Sequence, residues 1–219
     1  MTQYQAVENA SIAGPAGAIQ TLIDVPAAPP SVRPRGIALV CHPHPLFGGT
    51  AENKVVQTLA KTLRDLGYVA LRPHFRGVGG SGGTHDDGQG ETDDMLAVLD
   101  WARARFGDLP VVLAGFSFGA FVQASVAQRL AGQGRPAERL VLVGTAAGFV
   151  SGARHYETFA VAPDTLVIHG DKDETVPLDN VLAWAQPLNL KVHIVQGADH
   201  FFHRRLQDIR DIVVNAWKQ

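Results

Sequence analysis

The segment Gly115-Phe116-Ser117-Phe118-Gly119 constrains this chain more than any other, because an apolar run, Val111-Val112-Leu113-Ala114, leads directly into it. After it, Phe121, Val122, Ser125, Val126 and Leu130 recur at helical spacing. A strand that passes at once into a helix must turn sharply, and a serine at the apex takes a strained backbone conformation that leaves room only for small neighbours. Glycine at Gly115 and Gly119 meets that demand. The pattern is the sequence form of a nucleophile elbow.

A serine hydroxyl is a weak nucleophile near neutral pH, so an elbow predicts a histidine to take its proton and a carboxylate to orient that histidine, in chain order Ser, Asp, His. Val167-Ile168-His169-Gly170-Asp171-Lys172-Asp173 ends one later apolar run in acids. Gly197-Ala198-Asp199-His200 follows another, Val192-His193-Ile194-Val195. In an open parallel sheet, such strand ends are where catalytic groups converge. Asp171 and Asp173 are two apart, so one faces the histidine and the other is a turn residue bonding local N–H groups. We favour Asp173 for the acid and His200 for the base. His203, read as one turn into the last helix, lines the pocket or meets solvent, and His169, at a strand end, reads as a buried, hydrogen-bonded histidine.

Acyl chemistry at a serine also needs N–H donors for the oxyanion, one from the residue after the nucleophile. Here that is Phe118. The second comes from the loop after the apolar strand Ile37-Ala38-Leu39-Val40, which reads Cys41-His42-Pro43-His44-Pro45-Leu46-Phe47-Gly48-Gly49. Pro43 and Pro45 have no N–H, which leaves His44 as the best candidate, with Leu46 behind it. His42 and His44 also form an H-x-H pattern, but without a further ligand cluster it is a weak metal signal, and neither metal nor cofactor is expected. The glycine-rich run Arg72 to Gly82 is too loosely spaced for a phosphate cradle, and no helix pattern starts right after it. It reads as a flexible loop beside the site, with Arg76 bonding loop carbonyls.

Elsewhere strands and helices alternate. A turn signal at Gly14-Pro15-Ala16-Gly17 suggests a hairpin, and Pro26 to Pro34 is a proline-rich connection. Apolar runs at Tyr68–Leu71, Leu140–Val143 and Thr165–Ile168 read as further strands. Helices are expected over Val55–Leu66, about Glu91–Phe106, after Ser117, near Leu178–Trp184 and from Leu206 onward. Alternation of this kind means an α/β architecture, a mostly parallel sheet of about seven or eight strands flanked by helices. Residues 144–164 carry glycines and no apolar periodicity, so no substantial lid is expected there and Ser117 should lie in an open groove.

Composition sets the outer bounds. A chain of 219 residues is suited to one domain, here 1–219. Lys and Arg number 19 against 21 acids, with no run of like charge, so neither nucleic acid nor an anionic membrane is an expected partner. A small-molecule ester fits better; the oligomeric state is left open. One cysteine, Cys41, excludes an internal disulfide. Met1-Thr2-Gln3-Tyr4-Gln5 lacks a basic start and apolar core, so a cytoplasmic location is the expectation.

With these residues in order, the chain resembles the α/β-hydrolase superfamily over nearly its whole length. More narrowly it is similar to small, lidless bacterial serine hydrolases of the dienelactone-hydrolase-like branch. The likeness rests on Cys41-His42-Pro43, Asn53-Lys54-Val55-Val56, Phe75-Arg76-Gly77-Val78-Gly79, the elbow, and Asp199-His200-Phe201-Phe202-His203. It implies that Ser117 is nucleophile, Asp173 acid and His200 base, and it implies carboxylic ester hydrolysis. Dienelactone hydrolases use a cysteine nucleophile, so their substrate does not carry over. A thioesterase or peptidase would use the same machinery. A non-catalytic binding protein of this fold would need none of the three residue types.

Overall fold

The computed structural model describes residues 7–27 and 32–218. The start Met1-Thr2-Gln3-Tyr4-Gln5, on which the cytoplasmic expectation rests, part of the proline-rich connection and Gln219 lie outside the described residues. Strands β1 (Glu8–Gly14) and β2 (Gly17–Asp24) form the expected hairpin, with Gly14 opposite Gly17 across the tight turn. Gly17 closes it at φ 124°, a conformation that side chains disfavour. There follow β3 (Gly36–Cys41), α1 (Lys54–Asp65), β4 (Tyr68–Pro73), α2 (Gln89–Phe106), β5 (Val111–Phe116), α3 (Phe118–Gly132) and β6 (Arg139–Val143). Two short strands, β7 (Gly148–Val150) and β8 (Arg154–Tyr156), precede β9 (Leu166–Gly170), α4 (Leu178–Ala185), β10 (Val192–Val195) and α5 (Leu206–Ala216).

Eight strands make one sheet in the order β1-β2-β4-β3-β5-β6-β9-β10. The β1–β2 and β2–β4 pairs are antiparallel, and every pair from β4 to β10 is parallel. Alternate side chains of each inner strand go to opposite faces, as the two-residue strand period requires. Ile37, Leu39, Leu113 and Leu142 pack with Met95, Val98 and Val122 under α2 and α3. Ala38, Val40, Ala114 and Val143 pack with Val56, Leu59, Ile209 and Val213 under α1 and α5. Burial on both faces explains why these strands read as continuous apolar runs.

Helix α2 starts at Gln89, slightly earlier than the periodicity indicates, because the Glu91 carboxylate reaches back and accepts from the Gly88 N–H at 2.9 Å. Residues 144–164 hold no helix. They form the β7–β8 hairpin, which the sequence reading did not contain. Its surroundings are fastened to α4: Asn180 donates to the Phe149 carbonyl at 2.5 Å, and Trp184 Nε1 donates to the Thr158 carbonyl at 3.1 Å. The chain passes from β3 outward to β4, then returns to place β5 on the other side of β3. The crevice between the carboxyl ends of β3 and β5 is therefore the switch point where open α/β sheets bind ligands.

Candidate active site

Ser117 stands at that crevice, between β5 and α3, with φ 57° and ψ −119°. This left-handed backbone is held by the Ser117 N–H donating to the Val143 carbonyl at 2.9 Å. The flanking glycines are needed for contact. A Cβ on Gly115 would run into the Gly119 carbonyl, and one on Gly119 would run into the Cys41 carbonyl at the end of β3. Gly119 thus lets the first turn of α3 pack directly on the loop after β3.

Three of the sequence-derived residues meet here. The Ser117 hydroxyl lies 3.0 Å from His200 Nε2, and His200 Nδ1 lies 2.7 Å from Asp173 Oδ2. A carboxylate can only accept, so Nδ1 carries the proton and Nε2 offers its lone pair to the hydroxyl. Asp173 is itself fixed, since its Oδ1 accepts from the N–H groups of Thr175 at 2.9 Å and Val176 at 2.8 Å. All three side chains are buried. Close backbone packing brings the loops together: a Cβ on Gly170 would strike the Ala198 carbonyl. The His200 ring lies against Phe116, centroids 4.9 Å apart, and a Cβ on Gly144 would stand 3.5 Å from His200 Cε1.

The neighbouring acids and histidines take other parts. Asp171 accepts from the Gly197 N–H at 2.5 Å and does not meet His200. His169 is buried, with Nε2 donating to the Val176 carbonyl at 3.0 Å, and burial holds its pKa below the ordinary value despite the nearby Asp173 carboxylate. His203 lies in the turn before α5 rather than within it, and its exposed ring faces the Asp199 carboxylate at 2.6 Å.

The Phe118 N–H heads α3, in the turn whose N–H groups lack an intrahelical acceptor. The His44 ring lies 4.9 Å from the Phe118 ring. Burial, then the neighbouring His85 and Arg154, push the His44 pKa down to about 4, so the ring is neutral near pH 7. The His44 Nδ1 accepts from the Leu46 N–H at 3.3 Å. His42 is fully buried with both ring nitrogens engaged, Nδ1 with the Pro43 carbonyl at 2.7 Å and Nε2 with the Phe75 N–H at 2.9 Å. No cluster of three or more metal-ligating side chains occurs among the described residues.

Two expectations about the surroundings need correction. Arg76 does not bond loop carbonyls; it forms a two-point pair with the Asp94 carboxylate at 2.8 and 3.0 Å, and its guanidinium lies where a Cβ on Gly90 would be. The glycine loop it belongs to is not loose, because Gly80 N–H donates to Gln20 at 2.6 Å and Ser81 donates to the His74 carbonyl at 2.8 Å. Beside the serine, Phe116 and Phe118 are both buried in the core. Of the exposed aromatics, Phe47 lies under the Arg154 guanidinium and Phe201 lies 5.2 Å from the His200 ring. The sequence reading also missed the buried Glu91 carboxylate facing His85 at 2.8 Å, with the His85 ring against His44.

A fold and a serine–histidine contact of this kind define an α/β serine hydrolase. The chain belongs to the α/β-hydrolase family, whose model, described as the alpha/beta hydrolase fold, matches residues 40–157. An α/β serine hydrolase homologue from Coxiella burnetii is 37% identical, with a TM-score of 0.84 over 97% of this chain and 99% of its own. A lidless α/β serine hydrolase from Xanthomonas campestris is 34% identical, with a TM-score of 0.81 over 98% of this chain and 94% of its own. An uncharacterised protein of Rickettsia prowazekii is 37% identical over 183 residues, 78% of this chain and 74% of its own. No helix among the described residues is long and apolar enough to cross a membrane.

Proposed function

We propose that this hydrolase cleaves carboxylic esters of small or accessible substrates through an acyl-enzyme. The observation that carries this reading is the hydrogen-bond chain from Asp173 through His200 Nδ1 and Nε2 to Ser117, mounted on an elbow. In the proposed reaction Ser117 Oγ attacks the ester carbonyl while His200 Nε2 takes its proton, and Asp173 stabilises the imidazolium that results. The N–H groups of Phe118 and His44 receive the oxyanion. The tetrahedral intermediate collapses, His200 returns the proton to the leaving alcohol, and water then repeats the sequence on the acyl-serine. Every step uses side chains and backbone of this chain, with no cofactor. The absence of a helix from residues 144–164 supports substrates that reach Ser117 from solvent.

The test is labelling with a fluorophosphonate probe, in the wild type and in Ser117→Ala, alongside turnover of p-nitrophenyl acetate. Labelling and turnover in the wild type, both absent in the variant, are expected. A Ser117→Ala protein that kept either would refute the reading. Matched ester, thioester and anilide substrates compare the leaving groups, with the ester expected to give the highest kcat/KM.

A further inference from the structure

We propose that His42 is a positioning residue, which aims the His44 N–H at the oxyanion through the peptide plane joining Pro43 to His44. This rests on the reading of His44 as the second oxyanion donor. A carbonyl only accepts, so the 2.7 Å contact to the Pro43 carbonyl requires a proton on His42 Nδ1, and the Phe75 N–H at 2.9 Å requires a lone pair on Nε2. One neutral tautomer satisfies both.

The consequence comes from peptide geometry. The six atoms of a trans peptide are coplanar, with C=O and N–H on opposite sides of the C–N bond. The Pro43 carbonyl and the His44 N–H belong to one such unit. Holding the carbonyl therefore sets the direction of the N–H, and turning the N–H away would break a buried hydrogen bond. The plane is clamped elsewhere as well, since a Cβ on Gly49 would strike the Pro43 carbonyl and come within 2.6 Å of the His44 carbonyl. On the other side, Gly119 packs against the Cys41 and His42 carbonyls, so the loop is seated on the elbow that carries Phe118. A hydrogen bond accepted by a carbonyl also polarises its amide and strengthens the N–H as a donor. Pro45 supplies no competing N–H. Complete burial keeps the His42 ring in its neutral form, its pKa pushed down to about 3.

The two hydrogen bonds can be removed separately. In H42N the side-chain amide stands near the position of Nδ1 and can still donate to Pro43, while the Phe75 partner is lost. In H42Q the amide oxygen stands near Nε2 and can accept from Phe75, while the Pro43 partner is lost. Each variant gives up one buried bond, so a purely structural role lowers both alike. We expect H42Q to lose about 10- to 100-fold in kcat toward p-nitrophenyl acetate, somewhat less than removal of a donor outright, with KM changed by less than about threefold. Its affinity for a trifluoromethyl ketone, whose hemiketal oxyanion uses the same donors, should fall in parallel. H42N should stay within about threefold of wild type by the same reasoning. Equal losses in both variants, or an unimpaired H42Q, would overturn the proposal. A long-range ¹H–¹⁵N correlation spectrum of the wild type needs no variant: the Nδ1–H tautomer of His42 is expected, and an Nε2–H tautomer overturns the proposal. A wild type that fails to cleave esters would instead refute the esterase reading, with the tautomer then deciding for His42.

Discussion

Asp173 and His200 meet from the ends of neighbouring strands, β9 and β10, with Oδ2 and Nδ1 2.7 Å apart. Asp173 spends its second oxygen on the Thr175 and Val176 N–H groups, so the carboxylate cannot swing away from the ring without leaving two N–H groups unpaired. Asp171 is only two positions earlier, yet its carboxylate turns to Gly197 and joins the two loops. Both acids lie beyond the end of β9, in the turn where the strand's alternation has ceased, so one faces the histidine and the other ties down the turn that delivers it.

Substitution should separate the two acids. Asp173→Asn removes the partner that fixes the imidazole tautomer, with an expected loss of about 10⁴-fold in kcat, the scale of the same change in a serine-protease triad. Asp171→Asn weakens a partly exposed turn bond and should cost about 1 kcal/mol of stability with kcat little changed. Kinetics with p-nitrophenyl acetate and urea unfolding of both variants would read this out. The reverse ranking in kcat would make Asp171 the acid.

The serine backbone carries its own prediction. At φ 57° and ψ −119°, Ser117 occupies a region that suits glycine, and the cost of holding any other residue there is on the order of 1 to 3 kcal/mol. Ser117→Ala keeps the strain and removes the hydroxyl, so it should inactivate the enzyme with unchanged stability. Ser117→Gly should inactivate it and raise stability by about 1 kcal/mol, the strain released less the entropy that glycine loses on folding. Equal urea midpoints for the two variants would mean that the elbow stores no strain.

Chain-length preference follows from what borders the groove. Phe116 and Phe118 are 0% and 1% exposed and offer an acyl chain no surface, whereas Phe47 is 68% exposed and Phe201 47%. A short acyl group can bury against these, and later methylenes should gain little of the roughly 0.8 kcal/mol that full burial gives. For p-nitrophenyl esters we expect kcat/KM to peak at about two to six acyl carbons by that reasoning, with no jump at the micellar threshold. A steady rise through long chains would show that the β7–β8 hairpin closes over the substrate.

The strands were legible because burial on both faces leaves continuous apolar runs, as in Val111–Ala114, and the elbow because no side chain fits at Gly115 or Gly119. That Ser117, Asp173 and His200 come together could be read from chain order and from their places just past strand ends. Less visible was anything decided by a distant partner. Arg76 reads as a loop arginine until Asp94 on α2 is seen to meet it. Strands β7 and β8 are three residues each, too short to show a period. His42 resembled half of a metal motif, and only the Phe75 N–H from beyond β4 reveals its second bond. Phe116 and Phe118 could be placed beside the serine from sequence, but Phe116 ends β5 in the core under α1 and α5, and the direction of Phe118 depends on how α3 rolls against the sheet.

Acid should weaken the fold in a way that reports these buried histidines. Burial, the largest influence in each case, pushes His42 down to about 3 and His44 to about 4, and it also lowers His74 and His169. In the unfolded chain each takes up a proton near the ordinary value of about 6.5. Below that pH the unfolded state binds more protons than the native one, so stability is complete above about 6.5 and is lost progressively as pH falls toward the native values. Each proton contributes at most about 1.4 kcal/mol per pH unit. Between about pH 5 and 6.5 ordinary carboxylates hardly titrate, so the slope there belongs mainly to the histidines. Urea unfolding across that window should show stability falling with acid, and H42N should flatten the slope by up to one proton's worth. An unchanged slope in H42N would mean that His42 accepts a proton in the native state and is not held neutral between Pro43 and Phe75.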